Sequence, residues 1–205
     1  GFDAVGEHLR ARVGVEGFGE RAWRRFETGQ RGNTFDAVLD ELEIPRSPEL
    51  VTELVEVYRA HEPQITMLAD AREAIERLSP ATTLAVITDG PLQSQRAKAR
   101  AMRVEEWSRL SVFTSEWGAE FSKPHRRAFE LVESTTESRG VECAYLADNP
   151  AKDFAAPRDL GWRTVRVRRE GSLHESVDSG DDVDFEVTDL GAALLALESA
   201  APTSR

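Results

Sequence analysis

The stretch "AYLADNPAKDF", residues 144–154, sets the frame for the whole chain. Ala144 to Ala147 are small or apolar, with Cys143 just ahead of them. Asp148 comes next, then Asn149-Pro150, then a second acid, Asp153. A short apolar run closed by turn residues is the signature of a buried strand. This run therefore delivers two carboxylates, Asp148 and Asp153, to one end of one strand.

The rest of the second half repeats that rhythm. "TLAVIT" (83–88), "LSVFTS" (110–115), "RTVRV" (163–167) and "DFEV" (184–187) are β-rich runs. Between them "PLQSQRAKARAM" (91–102) and "PHRRAFELVESTT" (124–136) are helical in pattern. "PAKDFAAPRDLG" (150–161) is expected to be a helix interrupted by Pro157, and a last helix spans 189–198. Strands that alternate with helices imply an α/β fold with parallel strands and right-handed crossovers.

Residues 1–62 differ. Phe2, Val5, Leu9 and Val13 recur at helical spacing, as do Phe35, Val38, Leu39 and Leu42, and then Leu50, Leu54, Val57 and Tyr58. Ser47-Pro48-Glu49 is a good helix start, with a capping side chain, proline at the first helical position and an early acid. "GVEGFG" (14–19) and "TGQRGN" (28–33) are expected to break the helices. The division expected is a helical unit over 1–62, an α/β core over 63–198 and a flexible tail over 199–205, with Pro63 at the boundary.

Composition narrows the function classes. The chain has 205 residues, 40% hydrophobic and 31% charged, which suits a folded soluble protein. A net charge of −11 argues against nucleic-acid and anionic-membrane partners. One cysteine, Cys143, allows no internal disulfide, and no apolar run reaches the ~20 residues of a membrane span. A cytoplasmic location is expected.

In an open parallel sheet, ligands gather at the carboxyl ends of the strands. The first strand ends in Thr88-Asp89-Gly90, a hydroxyl and amides at a helix mouth that suit a phosphate. The loop after the second strand carries Lys123, a cation able to balance a carboxylate against a phosphate. The third strand delivers Asp148 and Asp153, hard oxygen donors of the kind Mg²⁺ takes, usually one or two with a substrate phosphate. Each feature alone has a plain structural use: a cap, a turn, a surface lysine. Their order along successive strands carries the chemistry.

That ordered set resembles motifs two, three and four of the haloacid dehalogenase-like (HAD) superfamily. "ITDGPLQSQRAKARAM", "SKPHRRAFE" and "YLADNPAKDF" carry the resemblance, over roughly residues 65–170. It implies a Mg²⁺-dependent phosphohydrolase with a Rossmann-like parallel sheet core and an all-helical cap, for which residues 1–62 are the candidate. On this resemblance Thr88 and Lys123 are catalytic; Thr88, Asp89, Gly90 and Lys123 hold the phosphate; and Asp148 and Asp153 hold the metal. The substrate would be a small phosphorylated metabolite. A homodimer is left open.

The family's first motif, a strand ending in D-x-D-x-T/V whose first Asp attacks phosphorus, has no match. Two positions after Asp3 stands Val5, and Asp3 is better read as a first-turn helix acid. In the family that strand lies centrally, between those matching 84–88 and 143–147. Without it the two would stand about 9–10 Å apart. The expectation is a natural protein that begins roughly 15–25 residues earlier, and a chain that lacks the nucleophile as it stands. The competing readings are a non-catalytic phosphate- or Mg²⁺-binding relative, and dehalogenation, against which the acid pair argues.

Overall fold

The computed structural model describes residues 1–30, 32–78 and 82–200. The chain divides into two compact units, Gly1–Gln64 and Ile65–Arg205. No helix among the described residues is long and apolar enough to cross a membrane.

The first unit is helical: α1 (Phe2–Val13), α2 (Phe18–Glu27), α3 (Thr34–Glu41) and α4 (Pro48–Ala60). Its core is the periodic set the sequence marks: Val5, Leu9, Val38, Leu39 and Leu54 are fully buried, joined by Phe18, Ala22 and Phe35. Ser47 caps α4 by accepting a hydrogen bond from the Leu50 amide at 3.1 Å, with Pro48 at the first helical position. Asp3 lies in the first turn of α1, as its helical surroundings predict.

One expectation needs correction here. "GVEGFG" does not break the chain throughout, because α2 already begins at Phe18 and Gly19 lies inside it. A Cβ on Gly19 would stand 2.7 Å from Asp3 Oδ1 and 3.1 Å from the Phe2 carbonyl. The glycine is there to let α1 pack closely, not to end a helix. Within "TGQRGN", Arg31 lies outside the described residues.

The second unit is α/β: α5 (Ala69–Leu78), β1 (Ala85–Thr88), α6 (Leu92–Ala101), β2 (Leu110–Phe113), α7 (Arg127–Thr136), β3 (Ala144–Ala147), α8 (Ala155–Asp159), β4 (Arg163–Val167), β5 (Phe185–Val187) and α9 (Leu190–Ser199). Among the described residues all strand pairs are parallel, and they form two sheets, β1-β2 and β3-β4-β5. β1 and β3 are not hydrogen-bonded neighbours. One apolar cluster nevertheless draws on both sheets: Val112 with Ala128, Phe129, Val132, Ala156 and Trp162, flanked by Ala85, Ile87 and Tyr145.

Several details of the second unit differ from the sequence expectation. The third-strand helix starts at Ala155 rather than Pro150, because Asn149 folds residues 149–153 into a turn: its side-chain oxygen accepts from the Ala151 amide and its carbonyl from the Asp153 amide, at 3.1 and 3.0 Å. Pro157 does not interrupt α8. It sits within the first turn, where its missing N–H costs no helical bond. Ser199 belongs to α9, and the rest of the expected tail, from 201, lies outside the described residues. α5 was not anticipated; Asp70 in its first turn holds Arg169 at 2.6 Å and the Leu190 amide at 3.0 Å.

Arg166, in the middle strand of its sheet, is completely buried. Its guanidinium donates to the carbonyls of His174 and Val177, at 2.6 and 2.8 Å, and to Ser179 Oγ at 2.6 Å. The charge of an interior cation is thereby met by main-chain oxygens of the loop that follows β4, with Glu186 Oε2 at 3.4 Å as the carboxylate partner.

Candidate active site

The carboxyl ends of β1, β2 and β3 meet around Asp89. β1 is A-V-I-T, apolar and β-branched until the hydroxyl of Thr88, so its first acid falls just past the strand. One oxygen of Asp89 accepts from the hydroxyl of Thr114, at the end of β2, at 2.8 Å, and from the Lys123 amide at 3.2 Å. The other meets Lys152 Nζ at 2.8 Å. Burial disfavours its charge, but the bonds from Lys152, Thr114 and Lys123 outweigh that cost and hold the carboxyl below its ordinary range. Asp89 thus acts as an anchor, tying the Lys123 loop and the turn after β3 to the exit of β1.

Lys123 precedes Pro124 through a cis peptide bond. Its ammonium lies 2.7 Å from Asp153 Oδ1, both side chains almost wholly buried, and donates to the Tyr145 hydroxyl at 3.1 Å. Asp153 Oδ1 makes no aligned hydrogen bond, so this contact is an ion pair by distance only. Asp153 Oδ2 accepts from the Asn149 amide at 3.1 Å. The Asn149 turn is what carries Asp153 back toward the strand end. Tyr145 is mostly buried; burial first, and then the charges of Asp153, Asp89 and Asp148, push its hydroxyl well above the usual tyrosine value.

The fold therefore brings together Asp89, Lys123 and Asp153, with Thr88 adjoining. The Thr88 hydroxyl donates to Gln95 Oε1 at 2.9 Å, and its carbonyl accepts from Thr114 at 3.3 Å. Gly90 adopts φ +117, a conformation that favours glycine, and a Cβ there would stand 2.9 Å from Gln95 Nε2. Asp148 is set apart: its residue is exposed and makes no hydrogen bond or ion pair among the described residues. Among the described residues no three His, Cys, Asp or Glu side chains gather into a ready metal cluster.

Sequence reasoning missed four members of this network: Gln95, Thr114, Tyr145 and Lys152. Lys152 stands beside Asp153 in the quoted stretch, and Thr114 closes the β2 run. Their positions were visible, but not their partners. Other signals fell as structural features. Trp117 packs under the Arg127 guanidinium, 4.6 Å from its ring centre, beside the core. In "RAWRRFE" (21–27) Trp23 is half exposed and stacks on Phe26.

No family model matches the sequence, and no curated protein matches it at a significant level. Solved structures do. YfnB of Bacillus subtilis, described as a HAD-hydrolase and bound to magnesium, is similar with a TM-score of 0.69 at 14% identity, over 95% of this chain and 90% of that one. L-2-haloacid dehalogenase from Xanthobacter autotrophicus is similar with a TM-score of 0.63 at 16% identity, over 98% and 94%. A HAD phosphatase from Thermococcus onnurineus gives 0.59 at 18% identity, over 94% and 86%. At these identities the likeness concerns the fold. The fold is that of the haloacid dehalogenase-like hydrolases: a Rossmann-type parallel core with a helical cap.

Proposed function

We propose that the chain is a HAD-type phosphohydrolase for a small phosphorylated metabolite, dependent on Mg²⁺, with residues 1–62 as its cap. The observation that carries this reading is the buried Lys123–Asp153 pair at 2.7 Å, at the mouth of a parallel sheet and tied to β1 by Asp89. A buried ammonium beside a strand end is an anion-neutralising group, and the Asp89 tether preorganises it.

Each residue has a task. Lys123 balances the charge that builds at phosphorus. The Thr88 hydroxyl, released from Gln95, and the amides of Asp89 and Gly90 receive phosphate oxygens; the Asp89 carboxylate, already engaged, stays an anchor. Asp148 and Asp153 fit a hard cation: Asp148 is open to solvent, and Asp153 Oδ1 is a buried oxygen without an aligned hydrogen bond. Lys123 and the Asn149 amide already engage Asp153, so Asp148 would be the more accessible of the two carboxylates that would hold the ion. When bound, Mg²⁺ would offset phosphate charge and polarise its oxygens.

A carboxylate nucleophile acting through an aspartyl-phosphate is part of this proposal and is assigned to no residue of the chain. Residues 1–205 alone are therefore expected to turn over p-nitrophenyl phosphate near background. Inorganic phosphate should still bind in the presence of Mg²⁺. Calorimetry should show that binding lost in Asp148→Asn and Lys123→Ala. Mg²⁺-dependent turnover that survives Asp148→Asn, or phosphate binding indifferent to Mg²⁺, contradicts the assignment.

A further inference from the structure

We infer that Lys152 is a second phosphate-contacting cation of this site, parked on Asp89 until the anion arrives. The assignment deepens the phosphohydrolase reading above and rests on it.

The two lysines of the network are held in opposite ways. Lys123 is locked: its side chain is 9% exposed, its ammonium meets both Asp153 Oδ1 and the Tyr145 hydroxyl, and its amide donates to Asp89. A dianion arriving at the strand exits therefore finds that ammonium already shared between an acid and a hydroxyl. Lys152 is loose: its side chain is 37% exposed, and among the described residues the one group its ammonium meets is Asp89 Oδ2, at 2.8 Å. An ammonium has three donors, so most of the binding capacity of Lys152 is uncommitted.

Asp89 does not depend on Lys152 for its anchoring task. Its Oδ1 accepts from the Thr114 hydroxyl and from the Lys123 amide, at 2.8 and 3.2 Å, and these two bonds tie the loops together. The bond from Lys152 falls on the other oxygen. An ion pair with one partner more than a third exposed is screened by water and adds little to the fold, so it can be exchanged at small cost.

The main chain at Lys152 is fixed while its side chain can swing. The Asn149 carbonyl accepts from the amides of Lys152 and Asp153, at 3.3 and 3.0 Å. A flexible four-carbon stem leaves that turn. The ammonium at its end stands beside the Asp89 carboxylate, one residue's width from the Asp89 and Gly90 amides that are the proposed seat of phosphate oxygens. Lysine binds phosphate as a point charge and needs no donor fork set in advance. Rotation of the stem thus trades a carboxylate for a phosphate at the same strand exit, and phosphate affinity depends on how firmly Asp89 holds the lysine.

Calorimetry with inorganic phosphate and Mg²⁺ tests this on the 205-residue protein. Lys152→Met should weaken binding by about tenfold, the effect of one lost charge-assisted bond, with the urea midpoint little changed. Asp89→Asn keeps an acceptor for Thr114 and the Lys123 amide but releases Lys152 from its resting partner, so phosphate should bind about threefold tighter or more. Adding Lys152→Met to Asp89→Asn should abolish that gain. A crystal structure with phosphate bound should place Lys152 Nζ within hydrogen-bond distance of a phosphate oxygen and away from Asp89. Affinity unmoved by Lys152→Met overturns this inference alone. So does weaker binding in Asp89→Asn, which a purely structural pair predicts, a gain that survives in the double variant, or a phosphate complex in which Lys152 still holds Asp89. A wild-type protein that binds no phosphate defeats the phosphohydrolase reading, and this inference falls with it.

Discussion

The carboxylate of Asp89 accepts a hydrogen bond from the main-chain amide of Lys123, 3.2 Å away across 34 residues of sequence. One side chain at the end of β1 thereby fixes the path of the loop that presents the buried ammonium. Thr114 and Lys152 complete its coordination, so four chain segments share one acceptor pair.

Asp89→Ala should lower stability by about 1–3 kcal/mol, the usual cost of leaving buried donors without an acceptor. Urea denaturation measures this. The pH dependence has a definite sign. A carboxyl held below its ordinary 3.8 stabilises the fold fully above that value and loses the contribution as pH falls through the lower, folded value. Wild-type stability should therefore drop more steeply below pH 3.8 than that of Asp89→Asn, whose own stability at neutral pH is already reduced.

Lys123→Met strands the carboxylate of Asp153 in the interior. Breaking one side of a buried pair costs about 3–5 kcal/mol, whereas replacing both partners costs far less. Lys123→Met combined with Asp153→Leu should recover much of the loss, and a double-mutant cycle on thermal unfolding reads the difference. Strict additivity of the two changes would show that the 2.7 Å contact carries no coupling.

Gly19→Ala should destabilise the helical unit by about 1–3 kcal/mol, because the new methyl would lie 2.7 Å from Asp3 Oδ1 and 3.1 Å from a backbone oxygen. Gly14→Asn is the contrasting case. Gly14 ends α1 with φ 70 and open space around it, a conformation asparagine tolerates. Circular-dichroism melting curves of the two variants should separate clearly.

Cys143 should alkylate slowly. Burial, with Glu133 and Glu142 adding to it, pushes its thiol from 9.0 up to about 11. Two units fewer of thiolate at pH 8 means iodoacetamide labelling about a hundredfold slower than in the urea-unfolded chain. Mass spectrometry over time follows the label.

The strands were legible because each is a short β-rich run with turn residues behind it; Thr88 ends β1, whereas Asp153 is carried back by the turn after β3 and Lys123 stands in the loop well beyond β2. α5 was not, since "ADAREAIERL" buries only Ala74 and carries just two large apolar residues, Ile75 and Leu78. The late start of α8 depends on the Asn149 turn, where side chain and carbonyl compete with helix formation. Gln95, Thr114, Tyr145 and Lys152 escaped notice for another reason. Their partners lie 7 to 63 positions away, and the turn into α6 and the meeting of the strand exits bring them within reach.

Arg166 grips the loop after β4 chiefly by carbonyl oxygens, which every amino acid possesses. Residues such as His174 and Val177 could change identity without loosening that grip, while Arg166 itself could not. Apart from Ser179, whose hydroxyl also meets Arg166, the loop is therefore free to diversify its outward chemistry along a route that stays the same.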